Sequence, residues 1–432
     1  MLFRNLGRLK YARKTSTNVE SYDSYRQFRE TRSMQKLRKI VIVSQHYPPD
    51  RSTTATIMSA LAEHLATVAQ VLVLSGTSGS ALSKQPSQLS IVEVNNWQPA
   101  KAALLKRTVA EVLFTVRTFF ELLTRLQRGD VALTVTAPFM LSYAVVAAAK
   151  LKRAKSALIM HDLFPDVLVV AGILNQESLV AKAIRGANAL MFRMLNSIIV
   201  IGRDTERLLS SYGKGVLDKI SFIPNWATLP PGIRPITADN YYRQLCKPRF
   251  VVGLSGNLGF THDPLVVFEA ARLLQEDPTI HFLLSGWGIG FERLKALQSE
   301  ANLPNVTMID RVAEQDLEGL LSAADIWVIP YRNNVAGVSI PSRFYNLLAI
   351  GRAVVLISEP EAEAAVAIRE NGLGWVVSPG RPDELATTLR LASLKKDPSM
   401  AERAVAVARG FSLDRATTSY ASLIRGLLGG SE

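Results

Sequence analysis

Apolar residues in this chain gather into short unbroken runs, separated by polar turns and by stretches with helical spacing. The first run is Ile40-Val41-Ile42-Val43-Ser44, and similar runs follow at 71–74, 131–136, 156–160, 198–201 and 220–223. Runs of this length without alternation fit strands buried on both faces of a parallel sheet. Helical spacing fills the intervals at 54–66 and 99–126. Residues 227–248 carry several prolines and interrupt the pattern, as an interdomain linker would. A second alternation then begins. Strands are expected at 250–254, 280–284, 306–309, 326–330, 353–357 and 374–377, with helices at 264–275 and 291–301. The simplest architecture is α/β, with two Rossmann-like domains facing a cleft. The boundaries read as a tail over 1–38, a first domain over 39–232, a linker over 233–249, a second domain over 250–412 and a last helix over 413–432.

Composition narrows this picture. At 432 residues and 48% hydrophobic, the chain can build two cores. Its single cysteine, Cys246, excludes an intramolecular disulfide framework and fits a reducing compartment. The net charge is +13, but residues 1–39 hold eleven Lys/Arg against three Asp/Glu. The remainder is only mildly basic, which argues against a nucleic-acid-binding core. The tail reads as solvated and disordered, with adhesion to an anionic membrane face as its functional alternative. No secretory signal is visible. The apolar segment 131–149 is interrupted by Pro138 and reads as strand, turn and buried helix, not a membrane span. The helix at 99–126 mixes Leu, Val and Phe with Lys106, Arg117 and Arg125. It faces either a core or a membrane surface.

Two stretches carry candidate chemistry. In residues 335–355 a polar approach leads to Pro341-Ser342, a helix from Arg343, a stop at Gly351 and an apolar strand. Pro341 suits a helix start, Ser342 can cap it and Gly351 suits the C-terminal end. Free N–H groups at such a start, with Arg343 beside them, suit a phosphate. The second stretch is His161-Asp162-Leu163-Phe164-Pro165-Asp166, at the carboxyl end of an expected strand, where ligands of open α/β sheets bind. The turn after the first strand holds Tyr47-Pro48-Pro49-Asp50 and lacks G-x-G-x-x-G, the dinucleotide fingerprint.

Taken in order, YPPD, HDLFPD, IPNW, SGNLG, SGWG and IPSRFYNLLAIGRAVV make residues 39–432 resemble the GT-B glycosyltransferases of the GT4 family. The nearer similarity is to the WbuB-type branch of bacterial polysaccharide biosynthesis. The resemblance implies a nucleotide-sugar donor, UDP- or GDP-linked, mainly on the second domain. It places a lipid-linked or saccharide acceptor mainly on the first domain, at the cytoplasmic membrane face. It further implies retention at the anomeric carbon, no cofactor or metal, closure on binding, and a last helix that crosses back to the first domain. Carried over residue by residue, Gly256, Asn257, Gly259, Gly286, Ser342, Asn346 and Glu363 are the donor-binding candidates. Arg343 would grip the diphosphate, His161 would position the transferred sugar, and Asp162 and Asp50 would lie on the acceptor side. The chain departs from the commoner pattern. Val338 and Asn346 replace a Glu pair, and Asn257 and His262 replace an Arg and a Lys. These departures leave open an inactive glycosyltransferase-like membrane scaffold, and the shared architecture leaves open a nucleotide-sugar epimerase.

Overall fold

The computed structural model describes residues 38–50, 52–77, 87–97, 104–246, 249–395 and 397–429. The basic tail over 1–37 and Arg51 lie outside the described residues. Lys39–Glu432 forms one compact unit.

Its first sheet contains β1 (Ile40–Ser44), β2 (Val71–Ser75), β3 (Leu89–Glu93), β4 (Val131–Val135), β5 (Lys155–Met160), β6 (Ser197–Val200) and β7 (Ile220–Phe222). They are all parallel, in the order β3-β2-β1-β4-β5-β6-β7. The second sheet is also parallel. Its strands are β8 (Phe250–Asn257), β9 (Ile280–Trp287), β10 (Val306–Asp310), β11 (Ile326–Pro330), β12 (Ala353–Ile357) and β13 (Gly374–Val377), in the order β10-β9-β8-β11-β12-β13. Both orders reverse direction once, and the strand ends at each reversal point toward one crevice.

Helices of eight residues or more are numbered. In the first half these are α1 (Thr53–Leu65), α2 (Leu104–Arg125), α3 (Phe139–Lys152) and α4 (Leu179–Met194). In the second they are α5 (Pro264–Leu273), α6 (Ile289–Ala301), α7 (Ser342–Ala349), α8 (Glu363–Asn371), α9 (Pro382–Leu394), α10 (Ser399–Gly410) and α11 (Leu413–Leu428). The centre of each sheet is fully buried, as its unbroken apolar runs require. On one face of the first sheet, Tyr47, Met58 and Leu61 meet Tyr420, Ala421 and Ile424 of α11. The last helix therefore returns from the second domain to seal the core of the first. The segment over 131–149 is β4 followed by buried α3, and among the described residues no helix is long and apolar enough to cross a membrane.

One strand escapes the apolar-run reading. β3 reads Leu-Ser-Ile-Val-Glu and only Leu89 is fully buried. An edge strand with one wet face has no reason to be a continuous apolar run.

Candidate functional site

Several of the candidates stand at or just beyond the carboxyl ends of the central strands. β8 ends in Gly256-Asn257 and β9 in Gly286-Trp287, paired with each other, while Asp310 of β10 pairs with Gly286. Gly256 has φ +141 with open space where a Cβ would project, and a Cβ on Gly259 would meet only Asn257 Nδ2, at 3.9 Å. The backbone here can approach a ligand closely. Gly286 has a different reason to be glycine: a Cβ would lie 2.4 Å from the carbonyl oxygen of Gly256. Strand packing alone requires a glycine here. Beyond β10, the Arg311 guanidinium lies 4.3 Å from the ring centroid of Trp287. Neither was among the candidate site residues, although Trp287 stands in the SGWG motif and both lie within three residues of an expected strand.

α7 opens at the same edge. Pro341 occupies the N-cap position and Ser342 is the first helical residue, exposed and making no capping bond. The expected serine cap is therefore replaced by proline, whose missing N–H costs nothing there. Gly351 follows the helix with φ +75, the conformation a helix terminus favours. Arg343 Nε is buried without a hydrogen-bond partner among the described residues. Burial, and secondarily the nearby Arg311 charge, pull the guanidinium down to about 10. It remains a cation at neutral pH, in a place where a cation wants an anion.

His161 and Asp162 follow β5. The Thr136 hydroxyl accepts both their backbone N–H groups, each at 3.2 Å. His161 Nε2 is buried with no hydrogen-bond partner among the described residues, and burial lowers the imidazole to about 4, so the ring is neutral. Asp162 forms an antiparallel bridge with Ser339 of the second domain, and the Leu163 N–H donates to Val338 O at 3.1 Å. Burial raises the Asp162 carboxyl, and a hydrogen bond from Ser339 partly offsets this. Asp50 is committed locally. It accepts the Ser52 N–H at 2.9 Å and sits 2.5 Å from His46 Nδ1.

Two donor candidates are occupied by protein. The Asn346 amide is buried and turned to the linker: Oδ1 accepts from Thr228 N at 2.7 Å and Leu229 N at 3.3 Å, and Nδ2 donates to Thr228 Oγ1 at 3.0 Å. It secures the linker to α7, with both amide atoms engaged by protein. The Glu363 carboxylate is bound by Arg203 of the first domain, through Nη2 to Oε1 at 2.9 Å, Nε to Oε2 at 3.0 Å and the backbone N–H to Oε2 at 2.9 Å. A carboxylate has about four acceptor sites. Arg203 takes most of these sites in this arrangement.

The departure at His262 also resolves. Its ring packs 5.0 Å from Tyr331, and burial, then Arg332, lowers it to about 4. A neutral imidazole does not replace a lysine's charge. A separate cleft of about 530 Å³ lies between the domains, with Asp166 and Arg207 on one side and Asp263, Arg332 and Glu359 on the other. None of the anticipated catalytic or donor residues lines it.

Two parallel doubly wound sheets, a crevice at their carboxyl edges and a returning terminal helix define a GT-B fold, and the chain is a glycosyltransferase. Residues 249–392 match the family of glycosyl transferases group 1. The chain is 26% identical over 288 residues to WbjE of Pseudomonas aeruginosa, a protein named as a glycosyltransferase; the match covers 66% of this chain and 72% of that one. It is 25% identical over 304 residues to WcaI of Escherichia coli K12, named as a colanic acid biosynthesis glycosyl transferase, with 68% and 74% covered. Among solved structures, Anabaena Alr3699/HepE in complex with UDP-glucose aligns with a TM-score of 0.65 at 18% identity, covering 90% of this chain and 99% of that one.

Proposed function

We propose that this glycosyltransferase is a retaining enzyme of the GT4 type, WbuB-like branch, acting in polysaccharide biosynthesis. It moves a sugar from a UDP- or GDP-linked donor to a lipid-linked or saccharide acceptor at the cytoplasmic membrane face. The observation that carries the reading is Arg343: a half-buried arginine at the first turn of α7 whose Nε is buried without a hydrogen-bond partner among the described residues. A helix start and an arginine fork together suit a diphosphate.

In this reading the diphosphate lies across Gly256, Asn257 and Gly259, with Ser342 and Arg343 on its charged oxygens. The bond from the anomeric carbon to the diphosphate oxygen breaks as that from the acceptor oxygen forms. The acceptor proton passes to the departing phosphate oxygen on the same face. Arg343 and the α7 N–H groups stabilise the charge that develops on the leaving group. His161, held through Thr136, orients the sugar and transfers no proton. Asp162 and the His46–Asp50 pair border the acceptor side. The relatives named for UDP-glucose binding and colanic acid biosynthesis support the donor and pathway class.

A nucleoside diphosphate at about one hundred times its Kd should stabilise the protein by about 2.7 kcal/mol, raising the melting temperature by several degrees. Neither UDP nor GDP doing so at millimolar concentration would remove the donor assignment.

The membrane part of the reading rests on α2. Ala110, Phe114, Thr118 and Leu122 face the core, while Val109, Leu113, Val116 and Phe120 form an exposed stripe on the opposite side, Phe120 being 61% exposed. α4 exposes Leu179 and Leu190, and α3 packs between these two helices on one face of the first sheet. Lys106 and Arg117 flank the α2 stripe. Exposed apolar stripes with basic flanks suit the interface of an anionic bilayer. Floating with phosphatidylglycerol vesicles, and loss of floating when Val109, Leu113, Val116 and Phe120 are changed to serine, is the expected result. Equal recovery of both proteins with the vesicles refutes it.

A further inference from the structure

Three consecutive residues of the first domain, Gly202-Arg203-Asp204, follow β6 and reach across to three segments of the second. A Cβ on Gly202 would lie 2.2 Å from Ile340 Cδ1, so the approach is close. Arg203 holds Glu363 as described. Asp204 makes the more telling contacts. Its Oδ2 accepts the Gly337 N–H and the Glu363 N–H, each at 2.9 Å. Glu363 is the first residue of α8. Gly337 lies in the loop that runs through Ser339 to Pro341 and delivers Arg343. One oxygen of the first domain thus ties together the two segments that open α7 and α8. Gly337 has φ +77, and a Cβ there would lie 2.7 Å from the Asp204 carbonyl oxygen. The loop fits this partner only as glycine. The carboxyl is raised by burial, and the two backbone donors partly offset this.

We propose that Asp204 is a positioning residue for the donor site: from the acceptor-side domain it fixes the loop 337–341, and through it the start of α7 that carries Arg343. Its consequence for nucleotide binding rests on the donor reading above; its consequence for the loop does not. The arrangement links the domains chemically. Arg343 is placed for an anion when the domains are in this apposition, because two N–H groups of the second domain are satisfied by a carboxylate of the first.

The test combines amide hydrogen exchange with UDP and GDP titration on the full chain, using wild type, Asp204→Ala and Asp204→Asn. Asp204→Ala is expected to speed exchange about tenfold or more at Gly337, 342–345 and 363–366, leaving β1, β4 and β5 as in wild type. The nucleotide Kd and the donor KM should rise about tenfold, with kcat changed about threefold or less. Asp204→Asn keeps an acceptor oxygen and should stay close to wild type in both measurements. Unchanged exchange at Gly337 in Asp204→Ala overturns the proposal, as does faster exchange spread evenly over the whole chain. So does Asp204→Asn exchanging like Asp204→Ala. If exchange is altered locally but wild type binds neither nucleotide, the positioning stands and the donor reading falls.

Discussion

Replacing Arg343 by alanine should abolish nucleoside diphosphate binding while leaving the unliganded protein as stable as wild type, or more so. The two halves of this expectation share one cause. In the unliganded chain Arg343 is a cation whose Nε is buried without a partner, with Arg311 near enough to lower it further, to about 10. That buried N–H costs desolvation that no acceptor among the described residues returns. Removing it removes the cost. In the complex the same fork would make charge-assisted bonds to phosphate, each of about 1.5–3 kcal/mol. Losing two of them weakens binding by about 100-fold or more. Arg343→Lys keeps the charge but not the planar fork and should fall between the two. Titration calorimetry with UDP and GDP, beside thermal melts without ligand, checks both halves. An alanine variant that melts well below wild type and still binds nucleotide would show that Arg343 is a structural cation.

Much of the fold was legible because burial on both faces leaves a mark in one dimension. β1, β4 and β11 are unbroken apolar runs, and the structure buries every residue in them. β3, buried at Leu89 alone, left no such mark. The start of α7 was legible for a related reason: a proline before a helical run locates a helix start. What could not be read is what depends on partners distant in sequence. Arg203 and Glu363 are 160 residues apart, and nothing around IGRD announces a contact with α8. Thr136, Ser339 and Asp204 are short polar residues near strand ends or in loops, of a kind the chain has many of. Glu363 and Asn346 were legible as positions but not as directions. Matching a motif says where a residue stands along the chain; the side chain then turned to a protein partner in both cases.

Asn346 allows the sharpest test of that distinction. By analogy with the commoner pattern, Asn346→Glu would restore a carboxylate to the donor site and improve donor binding. The structure requires the opposite. Asn346 is 7% exposed and its Oδ1 already receives the Thr228 and Leu229 N–H groups. Glutamate is longer by one methylene, and overpacking at a buried site costs about 1–3 kcal/mol. It also loses the Nδ2 bond to Thr228 Oγ1 and places a charge where an amide was satisfied. A total of about 2–4 kcal/mol is expected, which at about 2–4 °C per kcal/mol is a fall of several degrees or more in melting temperature. Asn346→Ala should also destabilise, since two backbone N–H groups lose their acceptor at about 1–3 kcal/mol each if no water replaces it. Neither variant should lower the donor KM of the protein that remains folded. The linker would loosen first, because this side chain holds the Thr228 and Leu229 N–H groups to α7. A glutamate variant that melts like wild type and binds donor more tightly would return Asn346 to the donor site.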